Sequence, residues 1–204
     1  MLFSSNIFIF VFLPCVILVY YTLLRSNRYA QNVFLFFASI FFYAWGEPKF
    51  VLVMLLSITA SWFFGLKVDK YREDKRKARL FITADVAFNL LVIFIFKYLM
   101  FTAENINFLF GRDVIRVPQI MLPIGISFFT FQAMSYVIDI YRKEGKAQKN
   151  IINVGLYIAF FPQLIAGPIV RYQTVSEQIE NRKETLDDFP KASQDSSSGS
   201  PRRC

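Results

Sequence analysis

Gln132, Ser135, Asp139 and Arg142 recur at intervals of three and four within an otherwise apolar run, the spacing that places side chains on one face of a helix. That face carries an amide, a hydroxyl, a carboxylate and a guanidinium, so it can hold a polar ligand between apolar walls. The plainer alternative is that Asp139 pairs with Arg142 near the end of the helix. A second constellation lies in Phe160-Phe161-Pro162-Gln163-Leu164-Ile165-Ala166-Gly167-Pro168-Ile169-Val170-Arg171-Tyr172. There Pro162 and Pro168 each remove a backbone donor and Gly167 permits a turn, while Gln163 and Arg171 supply hydrogen-bonding heads. In hydrocarbon, such broken backbone is stable only where protein or a water-filled cavity covers it. The segment therefore reads as the wall of an internal site, with a kinked, packed helix as the alternative. Asp85 and Asn89, four residues apart, also share a face, and interhelical hydrogen bonding is the role expected of them.

The 204 residues include no histidine, so the side chain that most often serves as general base at neutral pH is missing. Cys15 and Cys204 offer neither a disulfide framework nor a metal-ligand spacing.

The elements that must position these residues are apolar runs. Hydrophobic residues make up 55% of the chain and 25 are Phe, a composition that argues against a soluble domain. Ile7 to Leu24 and Phe50 to Leu66 carry no charge and are about as long as a hydrocarbon core requires. Ile120 to Tyr141 and Ile151 to Val170 are longer and interrupted by proline. Val33 to Trp45 is short, and Leu80 to Phe96 is apolar apart from Asp85 and Asn89. The expectation is an all-α, polytopic transmembrane helix bundle of about six membrane segments. Pro123 and Gly125 mark a tight start to the helix that carries Asp139.

The cations sort to alternate loops. Arg25 and Arg28, then Lys67 to Arg79, then Arg142, Lys143, Lys146 and Lys149 fall in the first, third and fifth loops, which places the N-terminus outside and these loops in the cytoplasm. The net charge of +8 is then juxtamembrane lysine and arginine meeting anionic membrane lipid. Nucleic acid is not an expected partner, because Asp69, Glu73 and Asp74 interrupt the Lys67–Arg79 cluster between two spans. Ile7 to Leu24 lacks a positive n-region and a small-residue cleavage site, and reads as a retained span rather than a signal peptide.

Four segments in order then carry a resemblance: Met1-Leu2-Phe3-Ser4-Ser5, Phe42-Tyr43-Ala44-Trp45-Gly46-Glu47-Pro48, Leu122-Pro123-Ile124-Gly125-Ile126-Ser127-Phe128-Phe129-Thr130-Phe131-Gln132, and Phe161 to Tyr172. Together they resemble the membrane-bound O-acyltransferase family, and more closely its bacterial alginate O-acetyltransferase branch, which includes peptidoglycan O-acetylating relatives. The resemblance runs from Met1 to about Phe189, so residues 1–189 are expected to be the N-terminal part of such a domain. It implies a multi-pass enzyme of the bacterial plasma membrane that passes acetyl groups from a cytoplasmic donor such as acetyl-CoA to an exported polysaccharide acceptor, with a periplasmic or extracellular O-acetylation protein as partner. No cofactor is expected to stay bound and no metal is implied. Family members are longer and carry a catalytic histidine in a later segment, in a His-Gly-x-x-Trp-like context. With none here, no catalytic residue is assigned. Gln132, Ser135, Asp139, Gln163, Gly167, Pro168 and Arg171 are instead expected to line or support the acyl path.

After Phe189 the composition turns to serine, glycine and arginine, and residues 190–204 read as a disordered tail. Degenerate codons from Lys191 onward permit a shifted frame resembling the family's continuation, so the expectation is a frameshift that leaves a truncated, inactive acyltransferase. Two rivals stand beside it: a non-catalytic membrane partner of a cell-surface modifying system, and a small transporter. The transporter predicts an internal repeat, and the halves show none.

Overall fold

Apolar runs bounded by proline, glycine and capping residues wind into helices, and every regular element among the described residues is helical. The structure is a computed structural model that describes residues 6–24, 27–110, 122–166, 172–173 and 175–176. The expectations for Gly167, Pro168, Arg171 and the 190–204 tail fall outside those residues.

Helix α1 (Leu13–Leu18) is prolonged on both sides by wider turns, Phe8–Phe12 and Val19–Leu23. Then follow α2 (Arg28–Gly46), a short turn at Pro48–Phe50, and α3 (Val51–Lys70). Helix α4 (Lys75–Ile93) passes through a wide turn, Phe94–Tyr98, into α5 (Leu99–Phe110). Then come α6 (Ile126–Tyr141), α7 (Ile151–Ala159) and α8 (Phe161–Ala166).

Several boundaries differ from the sequence expectation for physical reasons. The Val33–Trp45 run is the C-terminal part of a longer helix that starts at Arg28, because Asn27 caps it by accepting from the N–H groups of Tyr29 (3.0 Å) and Ala30 (3.3 Å). The Leu80–Phe96 run is part of one rod from Lys75 to Phe110; Lys97 ends the uncharged run without ending the helix, its ammonium lying 5.6 Å from the Tyr98 ring centre. The Ile151–Val170 run divides at Phe160, whose extended backbone (ψ 115°) separates α7 from α8. Of the expected six or so membrane segments, two helices among the described residues are long and apolar enough to cross a membrane, Pro48–Lys70 and Lys75–Phe110, while Phe8–Leu23 and Ile151–Leu164 are shorter apolar helices.

Helix α6 is central and packs against α3, α4 and α7, while α2 packs along α7. Around α6 the core gathers Met54, Ile58, Val92, Phe129, Tyr136, Val137 and Tyr157. A second core unites Phe8, Tyr20, Leu35, Phe42 and Phe161 between α1, α2 and α8. Close packing depends on small residues. A Cβ at Gly65 on α3 would stand 2.6 Å from the Tyr136 ring on α6, and one at Gly155 on α7 would stand 2.4 Å from the Phe36 ring on α2.

The distribution of polarity is inside out. Gln31, Ser39, Ser57, Ser61, Asp85, Asn89, Thr130, Gln132 and Asp139 are buried, while Phe10, Leu23, Leu52, Leu80 and Phe108 are exposed. Such a surface suits hydrocarbon better than water, and inward-facing polar groups are what membrane bundles use for helix association.

The two ends of the bundle differ in charge. Arg72 donates to the Gly145 carbonyl at 2.7 Å and pairs with Asp69 at 2.8 Å, and Lys143 lies 3.9 Å from Glu73. The third and fifth loops, both basic, therefore share one end. Helix α4 starts there with Asp74 as its cap, and the backbone N–H of Lys77, with its ammonium beside it, holds the Asp74 carboxyl below the usual carboxylate range. Replacement Gly65→Ala is expected to wedge α3 from α6 and to destabilise the bundle by about 1–3 kcal/mol, read as a lowered unfolding midpoint in detergent micelles; an unchanged midpoint would contradict the close approach.

Candidate functional site

Three of the four motif segments, far apart in sequence, converge at the end of the bundle opposite the basic loops. Helix α2 ends at Gly46, and Glu47 just beyond it reaches the start of α6, where its Oε2 accepts from the Ile124 N–H at 2.9 Å. The Tyr43 hydroxyl, one turn back on α2, donates to the Ile124 carbonyl at 3.2 Å. Ile124 is thus held on both sides by the Phe42–Pro48 segment.

Gly125 is the N-cap of α6 at φ 74°, a left-handed conformation that side-chain-bearing residues pay to adopt. Its missing side chain faces α8, since a Cβ there would lie 3.7 Å from the Leu164 carbonyl. Together Tyr43, Glu47, Ile124, Gly125 and Leu164 line a small cleft. The first segment, residues 1–5, lies outside the described residues; beyond it the Phe8 ring lies 5.2 Å from that of Phe42 and 6.0 Å from that of Phe161.

The proline-broken segment is covered by protein at the point where it breaks. Helix α7 ends at Ala159, and Pro162 sits in the first turn of α8, where its missing N–H has no helical acceptor to lose. The Phe161 N–H donates to the Ser39 hydroxyl of α2 at 3.3 Å. Pro162 therefore starts a new helix rather than removing a bond from the old one, which corrects the kinked-helix reading. Gln163 is half-buried beside this break.

The Asp139 constellation lies nearer the basic end. Asp139 is 4% exposed, and its Oδ2 accepts from the Tyr172 N–H at 2.9 Å, while Arg142 is exposed at the end of α6. Ser135 lies beside the Tyr157 hydroxyl of α7. The Tyr172 ring stands edge-on to Tyr136 at 4.8 Å and to Tyr157 at 5.3 Å, and the Tyr136 hydroxyl accepts from the Gln148 N–H at 3.1 Å. Asp139, with the Tyr136 and Tyr157 rings, thus docks Tyr172 onto α6 and α7. Gln132 is fully buried on α6, two helical turns from Asp139.

Beside Tyr172 an open cavity is lined by Arg72, Lys143, Lys146 and Lys149 together with Glu144, four cations to one carboxylate, a setting that favours anions. Among the described residues no group of three or more Cys, Asp or Glu side chains is placed to hold a metal ion. Sequence reasoning singled out Gln132, Ser135, Asp139 and Gln163, but missed Glu47, Tyr43 and Ser39 as partners of distant backbone groups. Glu47 carried the one available signal, a carboxylate beside an apolar run and a proline.

The fold and its junction define an all-helical protein whose irregular helix starts are held by side chains from other helices. Over 192 residues the chain is 37% identical to the probable alginate O-acetylase AlgI of Pseudomonas putida, covering 93% of this chain and 39% of that protein. It is 38% identical to the probable alginate O-acetylase AlgI of Pseudomonas aeruginosa, over 93% of this chain and 36% of that one. It is also 30% identical to the peptidoglycan O-acetyltransferase of Helicobacter pylori, over 89% of this chain and 39% of that protein. The chain is therefore a homologue of bacterial proteins named for O-acetylation, as the motif resemblance implies, and it spans 36–39% of the length of these relatives. No family model matches it, and no solved structure matches it.

Glu47 accepts a backbone donor in an exposed position at the mouth of α6. Glu47→Ala is expected to destabilise the bundle by about 0.5–1.5 kcal/mol, and Glu47→Gln, which keeps an acceptor, by less. Gly125→Ala is expected to cost about 1–2 kcal/mol through its left-handed backbone. Denaturant titration in micelles checks all three, and an equal loss for Glu47→Gln and Glu47→Ala would contradict the hydrogen bond.

Proposed function

We propose that this chain supplies part of the membrane-embedded scaffold of a bacterial O-acyltransferase, of the membrane-bound O-acyltransferase family, acting on alginate or another exported polysaccharide. The observation that carries the reading is its identity with proteins named for O-acetylation over 93% of its length. The convergence of the motif segments on one junction supports it. The protein is read as multi-pass in the bacterial plasma membrane, with the basic end in the cytoplasm.

In this reading the acetyl donor, acetyl-CoA or a carrier-borne acetyl group, approaches from the basic end. Arg72, Lys143, Lys146 and Lys149 there offer charge-assisted hydrogen bonds to its phosphates. Gln132, Ser135, Asp139 and Gln163, followed by Gly167, Pro168 and Arg171, shape the acyl path and hold its irregular backbone. The exported acceptor, with a periplasmic or extracellular O-acetylation protein, meets the path at the Glu47–Gly125 end.

Acyl transfer to a sugar hydroxyl needs a base to take the hydroxyl proton, and the chain contains no histidine. The part played here is therefore positioning, and residues 1–204 alone are expected to be inactive. Membranes carrying these residues and no other acyltransferase, given radiolabelled acetyl-CoA and alginate or peptidoglycan, should transfer no more label than empty membranes. Turnover above that background would refute the assignment of positioning without catalysis.

A further inference from the structure

Within the core, polar side chains meet one another. The Ser61 hydroxyl of α3 donates to Asp85 Oδ1 of α4 at 2.7 Å, and the Asn89 amide donates to Ser61 Oγ at 3.2 Å, the interhelical bonding expected of Asp85 and Asn89. Unmet charge lies instead at the basic end, in a second cavity on the α4 side of α6. This cavity, of about 300 Å³, sits between the end of α3, the start of α4 and the end of α6. Arg72, Lys75, Arg142 and Lys143 line it with a single carboxylate, Glu73.

The neighbouring carboxylates are engaged elsewhere or weakly. Asp69 pairs with Arg72 at 2.8 Å, Asp74 caps α4 and pairs with Lys77 at 3.2 Å, and Glu73 stands 3.9 Å from Lys143. Lys75 and Arg142 have no ion pair among the described residues. Arg72 is held by the Gly145 carbonyl and Asp69, both through Nη2, and its Nε is buried without a partner. The floor of the cavity is apolar, with Val68, Ala78 and Ile140 buried at 2%, 3% and 1% exposure. Cations above an apolar floor suit the anionic head of an amphiphile, and a floor without hydrogen-bonding heads offers nothing to a base or a sugar.

The depth of the cavity selects the amphiphile. It lies at the turn between Pro48–Lys70 and Lys75–Phe110, the two helices long enough to cross a membrane, and therefore at the level of lipid headgroups. Aromatic side chains of the kind found at that level surround it. The Tyr71 ring stacks on Phe81 at 5.5 Å, with the Lys70 and Lys77 ammonium groups 5.8 Å and 5.4 Å from its centre. The Trp62 indole N–H donates to the Lys149 carbonyl at 3.3 Å. Arg142 also continues the face of α6 on which Phe131 is exposed and Ile138 half-buried, a face that suits hydrocarbon. Basic pockets between membrane helices at the cytoplasmic side bind phospholipid headgroups, and guanidinium matches phosphate with two parallel hydrogen bonds.

We propose that Arg72, Lys75, Arg142 and Lys143 form a discrete site for the phosphate headgroup of an anionic phospholipid, taken chiefly by Lys75 and Arg142. The site rests on the membrane reading of the bundle and not on acetyl transfer. It differs from a diffuse basic belt in being saturable and in depending on particular residues.

The test places the full chain in phosphatidylcholine nanodiscs with phosphatidylglycerol added stepwise. The unfolding midpoint should rise with phosphatidylglycerol and saturate, as binding to the folded state requires, and mass spectrometry of the detergent-purified chain should find one phosphatidylglycerol retained. The double replacement Lys75→Gln with Arg142→Gln should lower that retention at least several-fold and flatten the response, whatever its own midpoint in pure phosphatidylcholine. Lys67→Gln with Lys70→Gln, which removes the same charge from the end of α3, should keep both. Inorganic phosphate added to the chain in micelles should not shift the midpoint. Equal losses in the two double variants, or a shift with inorganic phosphate as large as that with the lipid, would overturn the proposal. A chain held in nanodiscs but indifferent to phosphatidylglycerol would overturn it alone, while a chain that does not enter nanodiscs would overturn the membrane reading with it.

Discussion

A backbone N–H that leaves a helical ladder inside an apolar bundle must find another acceptor, and this requirement organises the protein. At Ile124, Phe161 and Tyr172 a side chain from a different helix or loop accepts the backbone N–H. Glu47 serves Ile124, Ser39 serves Phe161 and Asp139 serves Tyr172. Leaving either of the two buried ones, at Phe161 and Tyr172, unpaired costs about 1–3 kcal/mol, a sizeable part of the stability of an ordinary domain. The three bonds join α2 to α6, α2 to α8, and α6 to the segment that follows Arg171.

This requirement also explains why irregular chain is tolerated at all. An uninterrupted rod satisfies its own backbone but presents only side chains to a neighbour. A break exposes carbonyls and amides, and lets proline and glycine bring chain segments close together, as Gly125 and Leu164 do. The chain places such breaks at two levels: the junction of Glu47, Ile124, Gly125 and Leu164 at one end, and the Asp139–Tyr172 contact towards the basic end. Rigid apolar walls with a few held polar groups are the usual makeup of a small-ligand site.

Much of the helical framework was legible because apolar runs bounded by charges have few other solutions. Gly125 was legible for a local reason: a glycine two residues after proline at the head of an apolar run signals a turn into a helix. Asp85 with Asn89, and Asp139 with Ser135, were visible as pairs at helical spacing, and each does face protein. Their partners were not visible. Ser39 and Ser61 sit in apolar runs as unremarkable small residues, and what sets them apart is the distant backbone or carboxylate each one meets. Gly65 and Gly155 are likewise defined by rings on other helices. Helix ends were obscured wherever charge and helix length disagree, as at Lys97, where a cation closes the apolar run while the rod continues to Phe110.

Amide hydrogen exchange on the chain in lipid nanodiscs tests the organising claim most directly, because it reads the three freed donors one at a time. If side chains hold them, the amides of Ile124, Phe161 and Tyr172 exchange slowly despite lying at helix starts or beyond helix ends. Ser39→Ala should then release Phe161 alone, and Asp139→Ala should release Tyr172 alone. Fast exchange at all three positions in the unsubstituted chain, or release of all three by either replacement, would contradict the account.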